Sequence, residues 1–447
     1  MAFHPLTARR LAAATPDTRD RYLDLLRVFS LATVVLGHWL MVVLIPGPGG
    51  VGVDNALAIM PALQPLTWVF QVMPLFFFVG GFAHAAALRR GPGYAGFVRG
   101  RAARLVLPTA VFVAVWLAVG LLLELTGFDS GLLRTATRLI GQPLWFVGVY
   151  LGIVALAPIM WAAHRRFGIA VPGALIAGVA GVDLIRFGLG HNGFGLVNVA
   201  LVWLAVHQLG FCYADGRLNR RVAVALTLGG LVAVAALVTF GPYPLSMVGM
   251  PGAAVSNMSP PTAALLAHAL WLIGAALLLR APISRWLARP RVWFTVVAAN
   301  GIAMTAFLWH LTALFLVSGL RLAIGGTTPP VGSAAWWWSR PLELALFALA
   351  TAGLILIFRR ADQPRLLGPA PMATGRAALG ATLCLSGTLG ISAAGFGGAL
   401  AGRAAPLLMF EVTPLRCAAL LATGILLLRL PLRRLDQNLG RGCIVEA

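Results

Sequence analysis

The chain has no lysine: all 34 of its basic side chains are arginine, against 13 acidic ones. Charge of either sign is scarce, at 11% of the 447 residues, less than half its share in a typical soluble domain. With 60% hydrophobic residues and a mean hydropathy of +0.88, that scarcity excludes a soluble enzyme fold for most of the length. Cysteine is sparse too. Cys212, Cys384, Cys417 and Cys443 lack metal-ligand spacing, so neither a metal site nor a disulfide framework is expected. The first residues are polar and carry arginine, and the first apolar run is long enough to stay in a bilayer, so no cleaved signal peptide is expected. The formal charge of +21 suggests nucleic acid only until the arginines are located. They fall in short clusters between apolar segments and form no basic domain, so no nucleic-acid partner is expected.

What is present is a series of apolar runs of helix length. A membrane strand needs only about 9–11 alternating residues, whereas a membrane helix needs about 20 apolar ones, so a barrel is excluded. The expected fold is all-α, a polytopic membrane helical bundle. Its spans fall near 24–45, 65–88, 103–126, 144–162, 169–188, 195–213, 222–240, 262–279, 293–319, 341–358, 377–400 and 413–430. The eleventh is Gly-rich and reads either as a helix or as a re-entrant segment. No internal repeat supports an inverted-repeat transporter. Placing the N-terminus in the cytoplasm leaves twenty-six arginines in inner segments and seven in outer ones, with Arg27 inside the first helix. The positive-inside rule then puts both termini in the cytoplasm.

Ionisable side chains at bilayer depth are costly and are the natural functional candidates. In YLDLLRVFSLATVVLGHWL, Arg27 and His38 stand eleven residues apart, about 20° from whole turns, so they share a helix face roughly 16 Å apart. Asp24 lies three residues before Arg27 and can pair with it. Arg27 either snorkels to the headgroups or serves a ligand. His38, well inside an apolar helix, needs partners in either a structural or a functional role. In FVRGRAARLVLP, Arg101 and Arg104 share a face near the cytoplasmic boundary, as topology signals or as a phosphate clamp. His310, in AFLWHLTALF, sits at a depth compatible with His38 and is a core or a functional histidine. His84, His207 and His268 read mainly as structural. Asp183 and Arg186 read as an ion pair near an outer helix end, with a site-lining role as the alternative, and Glu343 has Arg340 beside it. The uncharged stretch SMVGMPGAAVSNMSPPT reads as an ordered loop, a substrate lid or a connector, and Trp336–Trp338 read as an outer interfacial belt, with a sugar platform as the alternative.

Taken in order, these segments resemble the membrane-bound acyltransferase 3 family over roughly residues 20–360. The resemblance rests on Arg-x10-His in the first helix, PLFFFVGGF in the second, Arg-x-x-Arg entering the third, QPLWFVGVYL opening the fourth, and LWH late in the ninth. One departure is Gly80-Gly81-Phe82 where the family often has Ser-Gly-Phe, which removes a hydroxyl. Another is the final pair of spans, beyond the usual ten. The resemblance implies a cytoplasmic segment 1–23, an acyltransferase core 24–360, a cytoplasmic linker 361–376, two further spans over 377–430 and a cytoplasmic tail 431–447. It implies an acyl-CoA-dependent O-acyltransferase of the bacterial cytoplasmic membrane, with acyl-CoA, acetyl-CoA foremost, as a substrate rather than a bound cofactor. The acceptor would be a hydroxyl of a cell-envelope glycan or glycolipid on the outer side. Arg27, Arg101 and Arg104 would hold the donor; His38 would act as general base or as an acylated nucleophile, assisted by His310. Asp24, Asp183 and Arg186 are possible supports. The competing reading is a transporter or flippase of an anionic lipid or solute.

Overall fold

The computed structural model describes residues 5–16, 18–47, 50–127, 131–362, 371–407 and 410–430, and nearly all the regular structure in them is helical. A short helix, α1 (Pro5–Ala13), precedes α2 (Arg21–Met41). Asp20 starts α2: its carboxylate accepts from the N–H groups of Tyr22 and Leu23, which have no partner within the first helical turn. A β-hairpin follows, β1 (Val42–Gly47) against β2 (Gly50–Asn55), with Val42 opposite Asn55. Two single turns, α3 (Ala56–Ile59) and α4 (Thr67–Phe70), lead into α5 (Met73–Leu88). The long α6 (Tyr94–Leu125), the short α7 (Gly131–Gly141) and α8 (Leu144–Phe167) come next.

Helix α9 (Ala170–Asp183) ends in a π-turn over Leu184–Gly188 and is followed by α10 (Val197–Ala214), α11 (Arg220–Phe240) and α12 (Ala263–Leu287). The ninth expected span is two helices, α13 (Pro290–Asn300) and α14 (Ala303–Ala323). Gly301 and Ile302 break the apolar run between them, so the spanning segment begins ten residues later than expected. Helix α15 (Ala334–Phe358) and the Gly-rich α16 (Thr374–Ala394) complete eleven helices, among the described residues, long and apolar enough to cross a membrane. A hairpin, β3 (Ala405–Leu407) and β4 (Phe410–Val412), leads to α17 (Pro414–Leu427), a shorter apolar helix at the place of the twelfth span. The eleventh segment is therefore a regular helix. Half of the 361–376 linker (363–370) and all of the 431–447 tail lie outside the described residues.

Because the helices alternate in direction, the arginine clusters at 89–104, 165–166, 217–221 and 280–291 gather at one end of the bundle. This is the arginine-rich end. Asp20 organises it, accepting from Tyr213 Oη at 2.7 Å and pairing with Arg280 at 3.0 Å, which joins α2, α10 and α12. Burial divides the bundle into centre and rim. In the spans Pro61–Leu88 and Asn192–Ala214, which contain α5 and α10, 67% of the most apolar stretch is buried within the protein; in α15 the share is 11%. With lipid as apolar as leucine, close contact between backbones takes over from hydrophobic burial as the packing force, and small residues mark it. A side chain on Gly210 would collide with the Phe78 carbonyl, and one on Gly81 with the His207 carbonyl. That approach of α5 to α10 brings His84 and His207 together. Helices α16 and α17 meet the same way, Gly387 and Gly390 lying against the Cys417 backbone and thiol.

Candidate active site

His38 and His310, 272 positions apart in sequence, meet where the last turn of α2 crosses the first half of α14, so His310 sits nearer the start of its helix than a span beginning at residue 293 implied. Nδ1 of His38 lies 2.9 Å from Nε2 of His310, with ring centroids 5.0 Å apart and planes 20° from parallel. His310 is fully buried, and its Nδ1 stands 2.5 Å from the Phe307 carbonyl oxygen. A carbonyl only accepts, so the His310 proton is on Nδ1 and its Nε2 offers a lone pair. That lone pair requires His38 to donate from Nδ1. The chain of bonds leaves Nε2 of His38 unprotonated, and no described protein group occupies it. His38 is partly exposed, whereas His310 is fully buried. Trp39 pins the crossing with a hydrogen bond from Nε1 to the His310 carbonyl at 3.1 Å. Arrangements of this form, an oriented imidazole with one free nitrogen, recur in general-base and nucleophilic catalysis.

The three candidate arginines also converge. Arg101 lies within electrostatic reach of Arg104 and Arg27, and Arg104 within reach of Arg27. Arg101 is half-buried and donates to the Ala83 carbonyl at 3.1 Å, whereas Arg27 and Arg104 are exposed. No ion pair within the described residues neutralises any of the three. Like charges so close repel unless an anion joins them, so the trio is a ready polyanion site. Asp24 does not provide that neutralisation. It is bidentate to Arg19, at 2.6 and 3.0 Å, which corrects the Asp24–Arg27 pair expected from spacing. Arg19 reaches forward from the turn before α2, a direction that the i to i+3 rule does not consider. Hydrogen bonding to Asp24 raises the affinity of Arg19 for its proton above the ordinary guanidinium value.

An aromatic wall runs from the arginines to the histidines. Tyr150 lies within reach of Arg27 and Arg101 and packs on Phe146 at 5.9 Å; Phe146 meets Phe307 edge-on at 5.3 Å; Phe307 carries the carbonyl that orients His310. Tyr150 was present in the QPLWFVGVYL segment, but its role is visible only in three dimensions. A side-chain carbon on Gly80 would stand 2.5 Å from the Tyr150 hydroxyl. The phenol fills the space vacated where Ser-Gly-Phe has become Gly-Gly-Phe, so a hydroxyl is present there after all, delivered by α8. Beside it His84 and His207, both buried, pair at 3.0 Å, with Nδ1 of His207 left unpartnered.

Asp183 and Arg186 belong to a different place. The Asp183 carboxylate accepts from Asn198 at 2.9 Å, Tyr243 at 3.0 Å and the Ala263 N–H at 2.7 Å, tying α9, α10 and α12 below the 241–262 loop. Arg186 is buried on the π-turn, without a hydrogen bond from Nε or Nη1; it stays within electrostatic reach of Asp183 but makes no ion-pair contact with it, which corrects the expected Asp183–Arg186 pair. The three neutral donors saturate the carboxylate, and the wider turn re-aims residue 186. Burial and then the Asp183 carboxylate push the Tyr243 phenol well above its ordinary value. The 244–258 stretch is an ordered loop: Trp68 and Gln71 donate to the carbonyls of Leu245 and Met247, and Asn257 ties Pro244 to Ser246. Glu343 pairs with Arg340 at 2.6 Å, as its position suggested, and with Arg321 as well. Trp336 is buried, while Trp338 is exposed. No group of three or more metal-ligating side chains occurs among the described residues.

A family model described as an acyltransferase domain matches residues 20–360, a span that contains the histidine pair, the arginine trio and the aromatic wall. The chain belongs to the acyltransferase 3 family. No curated protein and no solved structure matches it. Membership makes the chain a membrane acyltransferase and decides against the transporter reading. Within the acyltransferase 3 match fall all eight candidate residues; outside it fall α1, α16, β3, β4 and α17.

Proposed function

We propose that the protein is a transmembrane O-acyltransferase that takes a short acyl group, acetyl foremost, from cytosolic acyl-CoA. The acyl group passes to a hydroxyl of a cell-envelope glycan or glycolipid on the opposite side. The observation that carries this reading is the bond chain Phe307 carbonyl, His310, His38, which leaves a basic nitrogen open. The arginine asymmetry supports a cytoplasmic arginine-rich end, where Arg27, Arg101 and Arg104 bind the donor phosphates. The thin pantetheine arm then follows the Tyr150–Phe146 wall, spanning the roughly 16 Å of helix between Arg27 and His38.

At the thioester, Nε2 of His38 accepts the acceptor hydroxyl proton as the oxygen attacks the carbonyl carbon. The tetrahedral intermediate collapses with cleavage of the carbon–sulfur bond, and the CoA thiolate recovers the proton from the imidazolium. The positive charge on His38 is transient, and the His310 lone pair stabilises it through the Nδ1–H bond, so His310 is a positioning residue. Acylation of His38 itself would use the same open nitrogen. The test is transfer of label from [14C]acetyl-CoA by the purified protein, with and without envelope extracts. Label in an alkali-labile ester on the extract is expected. Absence of both transfer and CoA release, across acetyl, propionyl and longer donors, would refute the reading.

A further inference from the structure

The helices beyond the family match are not idle additions to the rim. Helix α16 and the loop after it form one wall of an open pocket of about 670 Å³ at the arginine-poor end, where Ser392, Ala393 and Arg403 face Thr135, Arg138, Leu139 and Gln142 of α7 and the turn after it. Its size suits one or two sugar rings or a lipid headgroup. The lining holds two guanidinium groups, a side-chain amide and two hydroxyls, and no carboxylate. Neither guanidinium has an ion pair or a hydrogen bond with the described residues. Glu124, the acidic group attached to the same loop, is engaged by the N–H groups of Ala399 and Leu400 at 2.5 and 2.8 Å.

The wall is built to hold its shape. Ser392 donates to the Gln142 carbonyl at 2.8 Å, and Gly395 and Gly398, both with positive φ, fold the 395–403 loop against Arg138 and Arg403. The same loop packs towards α14. Phe396 packs edge-on against Phe112 at 5.8 Å, and Phe112 against Trp309 at 5.1 Å, one residue before His310. On the other wall, Phe146 stands one turn after Gln142 and meets Phe307 at 5.3 Å. One wall therefore lies two ring contacts from Trp309, the neighbour of His310, and the other reaches His310 itself through Phe146 and Phe307.

We infer that this cavity binds the acceptor, and that the acceptor is anionic: a saccharide bearing a phosphate or carboxylate, its oxygens shared by Arg138 and Arg403 and its hydroxyls met by Gln142, Ser392 and Thr135. Guanidinium forks match such oxyanions in a way a neutral glycan would not use. This inference rests on the acyltransferase reading but is tested without the donor. The full-length protein in phosphatidylcholine nanodiscs is titrated calorimetrically with N-acetylglucosamine 1-phosphate, with N-acetylglucosamine, and with inorganic phosphate.

The sugar phosphate should bind about tenfold more tightly than either fragment, and Arg138→Gln or Arg403→Gln should each cost about tenfold, as expected for one lost charge-assisted contact. Ala393→Phe, which fills the cavity without touching charge, should block binding while acyl-CoA affinity stays at the wild-type level. Equal affinities for the sugar and its phosphate, or unchanged affinity in both arginine variants, would overturn the assignment. So would phosphate binding as tightly as the sugar phosphate. Loss of sugar-phosphate binding on replacing phosphatidylcholine with phosphatidylglycerol would instead make this a lipid-headgroup site and overturn the saccharide assignment. Failure of the acyltransferase reading would appear separately, as wild-type protein that binds the sugar phosphate but releases no CoA.

Discussion

Replacing His310 with leucine removes the acceptor that lies 2.9 Å from the His38 Nδ1–H and also frees the Phe307 carbonyl. His310 is fully buried, and leucine occupies similar apolar space, so the α2–α14 crossing survives; the Trp39 bond goes to the residue 310 backbone and is kept. The loss is felt when His38 becomes charged. A hydrogen bond to a charged group is worth about 1.5–3 kcal/mol. Each 1.36 kcal/mol of barrier is tenfold in rate, so kcat should fall about 10- to 150-fold. His310→Gln retains an oxygen that can accept from Nδ1 and should lie between leucine and wild type. The assay is steady-state acetyl transfer with kcat and KM for acetyl-CoA read separately. KM should stay unchanged, because the arginine trio is about three turns away along α2. A His310→Leu enzyme with wild-type kcat would show that the bond chain does not serve the reaction.

Arg101→Ala and Arg104→Ala should each weaken acyl-CoA binding about 10- to 150-fold by loss of one charged phosphate contact, and lysine should restore only part of it; unchanged affinity in the double alanine variant would reduce both to topology signals. Asp215, at the arginine-rich end, is held below the usual carboxylate range: burial raises it, but hydrogen bonds from His164 and Arg89 outweigh burial. Its folded value being depressed, its stabilisation is full above the unfolded value of about 3.9 and is lost as pH falls through the folded one. The thermal midpoint of wild type should therefore drop between pH 6 and 3 more than that of Asp215→Asn, and parallel curves would contradict this. For orientation, Ala254→Cys should react with an impermeant maleimide on intact cells and Ala288→Cys should not; the reverse pattern would place the donor site on the wrong side.

The spans were legible because each is a long apolar run bounded by arginine, proline or a capping residue such as Asn219 or Thr262. The break at Gly301 was hidden, since one glycine in an apolar stretch also occurs inside unbroken helices, as Gly274 shows in α12. The two hairpins at the arginine-poor end were missed because their strands are short and follow helices without a change in hydropathy. Arg27 and His38 were legible as one face of one helix. What decides the chemistry was not: the tautomer of His38 depends on His310 and the Phe307 carbonyl, contributed by a helix 272 residues away. Tyr150 filling the space beside Gly80 is equally non-local, since the two residues come from different helices. The Asp183–Arg186 spacing suggested a pair, but a π-turn rotates the second residue out of register.

The central claim is that Nε2 of His38 accepts the hydroxyl proton. The most direct measurement is the single-turnover rate of acetyl transfer by His38→Gln, alongside acetyl-CoA binding to the same preparation. Glutamine can still hydrogen-bond to His310 but has no basic nitrogen. The rate should fall by about 10²–10⁴, the usual worth of a general base, with acetyl-CoA affinity within twofold of wild type. A His38→Gln enzyme that keeps most of the wild-type rate would contradict the account.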